Sequence, residues 1–285
     1  MSLTDVAQVQ DQVQKFWSPL FQPELREETI LPSLVNRKYE GEIKKKGDTV
    51  QVSQIKKAKG ELLSIPDGEA DVFHPEKLVT VRVEVKADKR AVASFKIAEL
   101  AEIQSQIGDK DSEIRSALMQ GVMEQVNDFL YSLSAPSAAD PDHLFTGVAT
   151  FAATDLSASR RLAGKAKWNK KNPWWALLDP DYHGDLLDEQ TIASSDFNGG
   201  EQVTIAGEIV NKRYGFNIVE DNSRDTPQGL LFEPDYLYLV MQKTPTFKIS
   251  DLHGNEEFAF LISLDAIFGA IIGIEGDVKH ITFTA

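Results

Sequence analysis

The stretch from Glu40 to Glu61, EGEIKKKGDTVQVSQIKKAKGE, alternates polar and β-branched residues as a pair of strands does, yet it offers almost nothing large and apolar to bury. A second alternating run, KLVTVRVEVKADKRAVASFKI, follows after a loop rich in Gly, Pro and acid. In that run Leu78, Thr80, Arg82, Glu84 and Lys86 share one face, and Val79, Val81, Val83 and Val85 share the other. The expectation is a long two-stranded ribbon with one apolar side. Such a ribbon is marginal in water on its own. It therefore needs a surface to lie on, supplied either by the body of the same chain or by a neighbour.

Enough chain exists to build that body. With 285 residues, 42% of them hydrophobic and 26% charged, the sequence has ordinary globular proportions for one or two connected domains. The formal charge of −14 lies entirely in residues 101–285, while the first hundred residues hold equal numbers of basic and acidic side chains. A strongly acidic body argues against tight, sequence-independent binding to nucleic acid, which draws on clustered Lys and Arg. The near-neutral first third remains able to meet an acidic partner, including another copy of the chain. There is no cysteine, which excludes disulfides, thiolate nucleophiles and Cys-type zinc sites. No secretory signal pattern and no stretch of ~20 apolar residues is visible, so a soluble intracellular product is expected.

Around the ribbon the periodicities are helical and then strand-like. Val6, Val9, Val13, Phe16 and Trp17 recur at helical spacing and predict a short amphipathic arm that Pro19 ends. Leu100, Ile103, Ile107, Ile114, Leu118, Val122, Val126, Phe129 and Leu133 predict a long helix over residues 98–134, open to interruption at Gly108. TDLSASRRLAGKAKWN predicts a second helix capped by Thr154 or Asp155, and PWWALLDPDYHGDLLDEQ predicts a buried strand, a turn and a short helix. Two short strands broken at Gly207 and Gly215 follow, and then long apolar strands from Asp235 to the end, with residues 258–274 expected at the centre of a sheet. The fold class expected is α+β.

Signatures of chemistry are scarce. Neither a phosphate-binding Gly-rich loop, nor a nucleophile elbow, nor paired metal-binding histidines on a helix occurs. Asp179, Asp181, His183, Asp185 and Asp188 crowd into LLDPDYHGDLLDE and would form the centre of a metal-dependent hydrolase, if the chain were one. Asp-Pro and His-Gly are also turn signals, and acids gather at helix starts, so a cap-and-turn role outweighs metal binding. The basic, aromatic run KAKWNKKNPWW has the vocabulary of single-strand nucleic-acid binding, but Trp174 and Trp175 enter an apolar strand and read as core. No catalytic, cofactor or metal residues are assigned.

The order of parts resembles that of the major capsid proteins of tailed bacteriophages, the Hong Kong 97-type fold, over nearly the full chain. The residues that carry the likeness are LVNRKYEGEIKKKGDTVQV, KRAVASFKIAELAEIQSQ, WWALLDPDYHGDLL, IAGEIVNKRYGFNIVEDNS and FGAIIGIEGDVKHITFTA. The resemblance implies an N-terminal arm over residues 1–39 and an extended β-hairpin loop over 40–96. It implies a peripheral domain with a spine helix from 97–139 and 240–285, and an axial domain over 140–239. It further implies a non-enzymatic, self-assembling icosahedral head shell of pentamers and hexamers enclosing phage DNA. The shell would sit in the virion, assembled in the host cytoplasm, with a separate scaffolding protein and a portal, and with no sequence-specific nucleic-acid binding, membrane or cofactor. An encapsulin-like compartment shell is the alternative within the same fold. On this view Lys44, Lys45, Lys46, Lys56, Lys57 and Lys59, with Phe16 and Trp17 of the arm, are the candidate contacts between subunits.

Overall fold

The computed structural model describes residues 29–40, 49–62, 74–98, 111–134, 144–146, 148–189, 212–224, 228–252, 258–273 and 279–284. In chain order these form α1 (Leu31–Leu34), β1 (Thr49–Ile55), β2 (Thr80–Lys86), β3 (Lys89–Ala98), α2 (Asp111–Leu133), β4 (Leu144–Thr146) and α3 (Ala153–Lys165). β5 (Trp174–Leu178), α4 (Pro180–Asp188), β6 (Lys212–Arg213), β7 (Phe216–Glu220), β8 (Gln228–Phe232), β9 (Leu237–Asp251), β10 (Ala259–Ile272) and β11 (His280–Thr284) follow. The mixture is α+β, as expected.

Three sheets organise the strands. β1 and β2 pair antiparallel as the ribbon, β3-β10-β9 makes a three-stranded sheet, and β4-β11-β8-β5-β7-β6 makes a six-stranded one. The expected centre of a sheet over residues 258–274 is β10, which pairs on both sides. The single alternating run predicted over residues 77–97 divides at Ala87–Asp88. Its first half pairs with β1, and its second half is β3, paired with β10. Two consecutive strands in different sheets need a corner, and the alternation of side chains across it is indifferent to which partner each half takes.

The long helix lies on the three-stranded sheet. Leu118, Val122, Val126 and Leu130, four residues apart on one side of α2, are buried against Ala91 of β3 and against Ile262, Leu264, Ala266 and Phe268 of β10. Ala98, expected as the first helical residue, is instead the last residue of β3, and residues 99–110 lie outside the described residues. The 23 residues of α2 make a rod of about 35 Å. Burying an aliphatic side chain of this size contributes roughly 1.5–3 kcal/mol, so the stripe fastens the helix to the sheet.

Leu177, Leu230 and Phe232 of the six-stranded sheet join the same core, so the two sheets share it. The opposite face of that sheet carries Trp174, Ala176, Phe216, Leu231 and Phe283 into a second core beneath α3 and α4. Tyr214 and Gly215 both hold positive φ, 47° and 86°, between Arg213 and Phe216, the left-handed pair that a two-residue hairpin loop requires. β8, QGLLF between Pro227 and Pro234, was not among the expected strands. The last strand, β11, pairs antiparallel with β8 and parallel with β4, so the end of the chain joins the six-stranded sheet.

Candidate functional site

The root of the ribbon is seated on its own chain. Val50, Val52, Val85 and Ala87 are buried with Tyr238 and Val240 of β9, flanked by Ile267 and Ile271 of β10. Tyr39 meets Tyr238 edge-on, with ring centroids 5.6 Å apart, beside the entry to the ribbon. Seating requires the backbone at Lys86–Ala87 to cross directly over β10 at Gly269. A Cβ at that position would stand 1.8 Å from the Lys86 carbonyl oxygen, so only glycine fits. Gly269 was not singled out from the sequence, although a lone glycine inside the strand IFGAII is the signal of such a close approach.

Beside this crossing the β9–β10 ladder shifts register on both sides of Ile267, and Pro245 of β9 falls in the irregular stretch, where its missing N–H costs no ladder bond. Asp265 fixes the three strands together there. It accepts from Lys243 of β9 and from Arg90 of β3, the latter at 2.7 Å, and these hydrogen bonds hold its carboxyl below the usual range.

Beyond Val52 the ribbon leaves its support. Leu62 is fully exposed, and Leu78, Ile55 and Val79 are 75%, 65% and 50% exposed. Four large apolar side chains at one tip of the ribbon are left without cover among the described residues, which marks an interaction surface rather than a scattered exposure. Lys56, Lys57 and Lys59 are exposed among them, and none pairs with a carboxylate side chain among the described residues. The tip is held in shape by its backbone: the Lys56 N–H donates to the Val79 carbonyl at 2.9 Å, and the Lys59 N–H to Glu76 at 3.1 Å. Glu61 accepts from the N–H of His74 at 3.2 Å. Lys44, Lys45, Lys46, Phe16 and Trp17 lie outside the described residues. In the sequence the lysines stand out by charge, whereas Ile55 and Leu62 do not, because isolated apolar residues in a polar ribbon carry no periodicity.

The acidic cluster at residues 179–188 is structural. Asp179 caps α4, accepting from the N–H groups of Asp181 and Tyr182, and also from that of Gln228. Its burial pushes its carboxyl up, against the pull of those donors. Asp185 accepts from the Phe151 N–H at 2.9 Å, and Glu189 from that of Ala153. Asp179, Asp185 and Glu189 thus brace backbone, and no group of three or more His, Cys, Asp or Glu placed to hold a metal ion occurs among the described residues. The cap of α3 is Ala152, not Thr154 or Asp155; Asp155 sits at the third helical position and accepts the Ala152 N–H at 3.0 Å. Trp174 is core, as expected, and the neighbouring Trp168 packs on it edge-on.

A pocket of about 190 Å³ separates α2 from the six-stranded sheet, lined in part by Asp128, Tyr131, Ser134, Asp179, Asp221 and Arg224. It is cross-braced from within: the Tyr131 hydroxyl donates to Asp221, and Arg224 lies 4.0 Å over the Tyr131 ring while pairing with Asp128 at 2.9 Å. Burial, first, and the Asp221 charge raise the Tyr131 hydroxyl well above its ordinary range, so it stays a donor. This brace holds helix to sheet.

Known structures share this arrangement from end to end. A chain of Mycobacterium phage Che8 superimposes with a TM-score of 0.75 at 19% identity, covering 95% of this chain and 96% of that one. A chain of the capsid of the cyanophage P-SCSP1u gives 0.73 at 16%, covering 97% and 94%. One from the capsid asymmetric unit of the cyanophage Pam1 gives 0.72 at 14%, covering 96% of each. The fold is that of phage capsid subunits. No family model and no curated protein matches the chain by sequence.

Proposed function

We propose that this chain is the major capsid protein of a phage, a non-enzymatic subunit that assembles into an icosahedral head shell around DNA. The observation that carries the proposal is the ribbon: its root is buried on its own body while Ile55, Leu62, Leu78 and Val79 at its tip are left uncovered. A monomer gains nothing from such a tip, whereas a shell covers it once per subunit and multiplies each weak contact by symmetry. The end-to-end likeness to capsid chains supports the same reading.

Within it, the ribbon of residues 49–86 lies across the adjacent subunit, with Lys56, Lys57 and Lys59, and Lys44, Lys45 and Lys46 before them, oriented by that neighbour's acidic body. The arm carrying Phe16 and Trp17 adds a further contact. α2 with the three-stranded sheet acts as the peripheral domain, and the six-stranded sheet with α3 and α4 as the axial one. Pentamers and hexamers form the shell, with a separate scaffold and a portal completing assembly in the host cytoplasm.

The test is expression of the chain alone and with a co-expressed scaffold, read by size-exclusion chromatography with light scattering and by negative-stain microscopy. Closed shells, or rings of five or six, are expected. A monomer at every concentration under both conditions would refute the proposal.

A further inference from the structure

The outer layer of the six-stranded sheet is electrically divided. Between Leu156 and Leu178 every charged side chain is basic: Arg160, Arg161, Lys165, Lys167, Lys170 and Lys171. From Asp179 to Asn211 every charged side chain is acidic, and the described part of that stretch is α4 with its flanks. The described parts of the two stretches occupy opposite ends of the parallel strands β5 and β7, whose ladder runs from Trp174↔Phe216 to Leu178↔Glu220. At the first end Arg160 lies 4.1 Å over the Trp174 ring, and Trp168 packs on Trp174 and Phe216. At the second, α4 starts directly after Leu178, and Glu220 stands beside His183 at 3.5 Å.

α3 spans the distance between them, its start tied to Asp185 and Glu189 of the acidic end and its last turn leading into the basic one. Its 13 residues make the poles roughly 20 Å apart. That exceeds the Debye length of about 8 Å at physiological salt, so the poles do not neutralise one another. Among the described residues none of Arg161, Lys165, Lys167, Lys170 and Lys171 pairs with a carboxylate side chain. On α4, Asp181, Asp185 and Asp188 follow one another along one side with no Lys or Arg on the helix, an arrangement of like charges that is unfavourable in a helix left to itself.

We infer that the two poles are the two halves of one head-to-tail contact between copies of this chain, the basic end of one six-stranded sheet meeting α4 of the next. The inference rests on the shell-subunit reading and gives that shell a specific contact. A contact between different patches of identical subunits closes into a ring when the rotation between neighbours closes, which is the case a five- or six-membered capsomer requires. A nucleic acid fits the same surface less well. Trp168 and Trp174, which would have stacked on bases, are only 4% and 3% exposed, and the acidic pole would repel phosphate.

Charge reversal tests the contact. One variant carries Arg161→Glu, Lys165→Glu, Lys170→Glu and Lys171→Glu, and the other Asp181→Lys and Asp188→Lys; circular dichroism melts establish that both are folded. Each alone should weaken self-association at physiological salt by about tenfold or more. Mixing the two in equal amounts should restore it, because the reversed basic pole of one then faces the reversed acidic pole of the other. Wild-type association by either variant alone, or no recovery on mixing, would overturn the contact while leaving the shell reading in place. A wild-type chain that never associates would overturn both. Loss of binding to a 30-base-pair duplex in the first variant, with self-association intact, would assign the basic pole to nucleic acid instead. Should the reversed chains not fold, Lys170→Gln with Lys171→Gln tests the same contact more gently, through a flatter salt dependence of association.

Discussion

Two long antiparallel strand pairs of this molecule differ in what covers them. β9 and β10 carry α2 along one face, where Leu237, Leu239, Met241, Ile262, Leu264, Ala266 and Phe268 are core. β1 and β2 show the same alternation but are seated on β9 and β10 through Val50, Val52 and Val85, at the root alone among the described residues. Alternation therefore specifies that a face is apolar, not whose surface it meets. The most damaging test of that difference strikes the covered pair. Leu130→Ala under α2 should cost about 2–5 kcal/mol in chemical denaturation, since it opens a cavity in the shared core. An equally large loss from a ribbon-tip substitution would erase the distinction.

Where the two pairs cross, Gly269→Ala sharpens the comparison. The added methyl collides with the Lys86 carbonyl, and the cost of overpacking, about 1–3 kcal/mol, should fall on the ribbon's seat. Hydrogen exchange should rise in residues 49–55 and 80–86 while α2 stays protected. Uniform loss of protection would mean that root and body unfold as one unit.

A smaller effect follows from Asp265. Lys243 and Arg90 depress its folded pKa below the unfolded value near 3.9, so the stability they confer is complete above about pH 4. It is lost as the pH falls through the folded pKa. Asp265→Asn should lower the melting temperature at pH 7, and the difference from wild type should shrink as the pH drops below 4. Since the Arg90 side chain is largely exposed, the Lys243 arm carries more of the effect. A difference independent of pH would show that shape, not charge, matters there.

Much of this body was legible because burial on one chain leaves a period: the stripe Leu118, Val122, Val126, Leu130 names its helix, and WWALL its strand. What was not legible concerns relations between elements. Nothing in KADK says that the strand turns from one sheet into another at Ala87. β8 is short enough to pass for loop between two prolines, and the destination of β11 depends on β8. Of the site, the lysines stand out by charge, whereas Ile55 and Leu62 acquire meaning only from their exposure in the folded chain.

The smallest effect on the subunit is also the most informative. Ile55→Ser with Val79→Ser removes two apolar side chains from the tip, where no packing is lost. The subunit's stability should change by no more than about 0.5 kcal/mol, the ordinary range for surface substitutions. Burial of those side chains against a neighbour would be worth roughly 1.5–3 kcal/mol each, repeated at every subunit of a shell. Particle yield should therefore collapse while the monomer's denaturation curve stays in place. Unchanged particles would mean that the tip is solvated in the assembly and that the lysines serve to deter edge pairing. A destabilised monomer would instead mean that the tip folds back onto its own chain, and the two strand pairs would then differ only in degree.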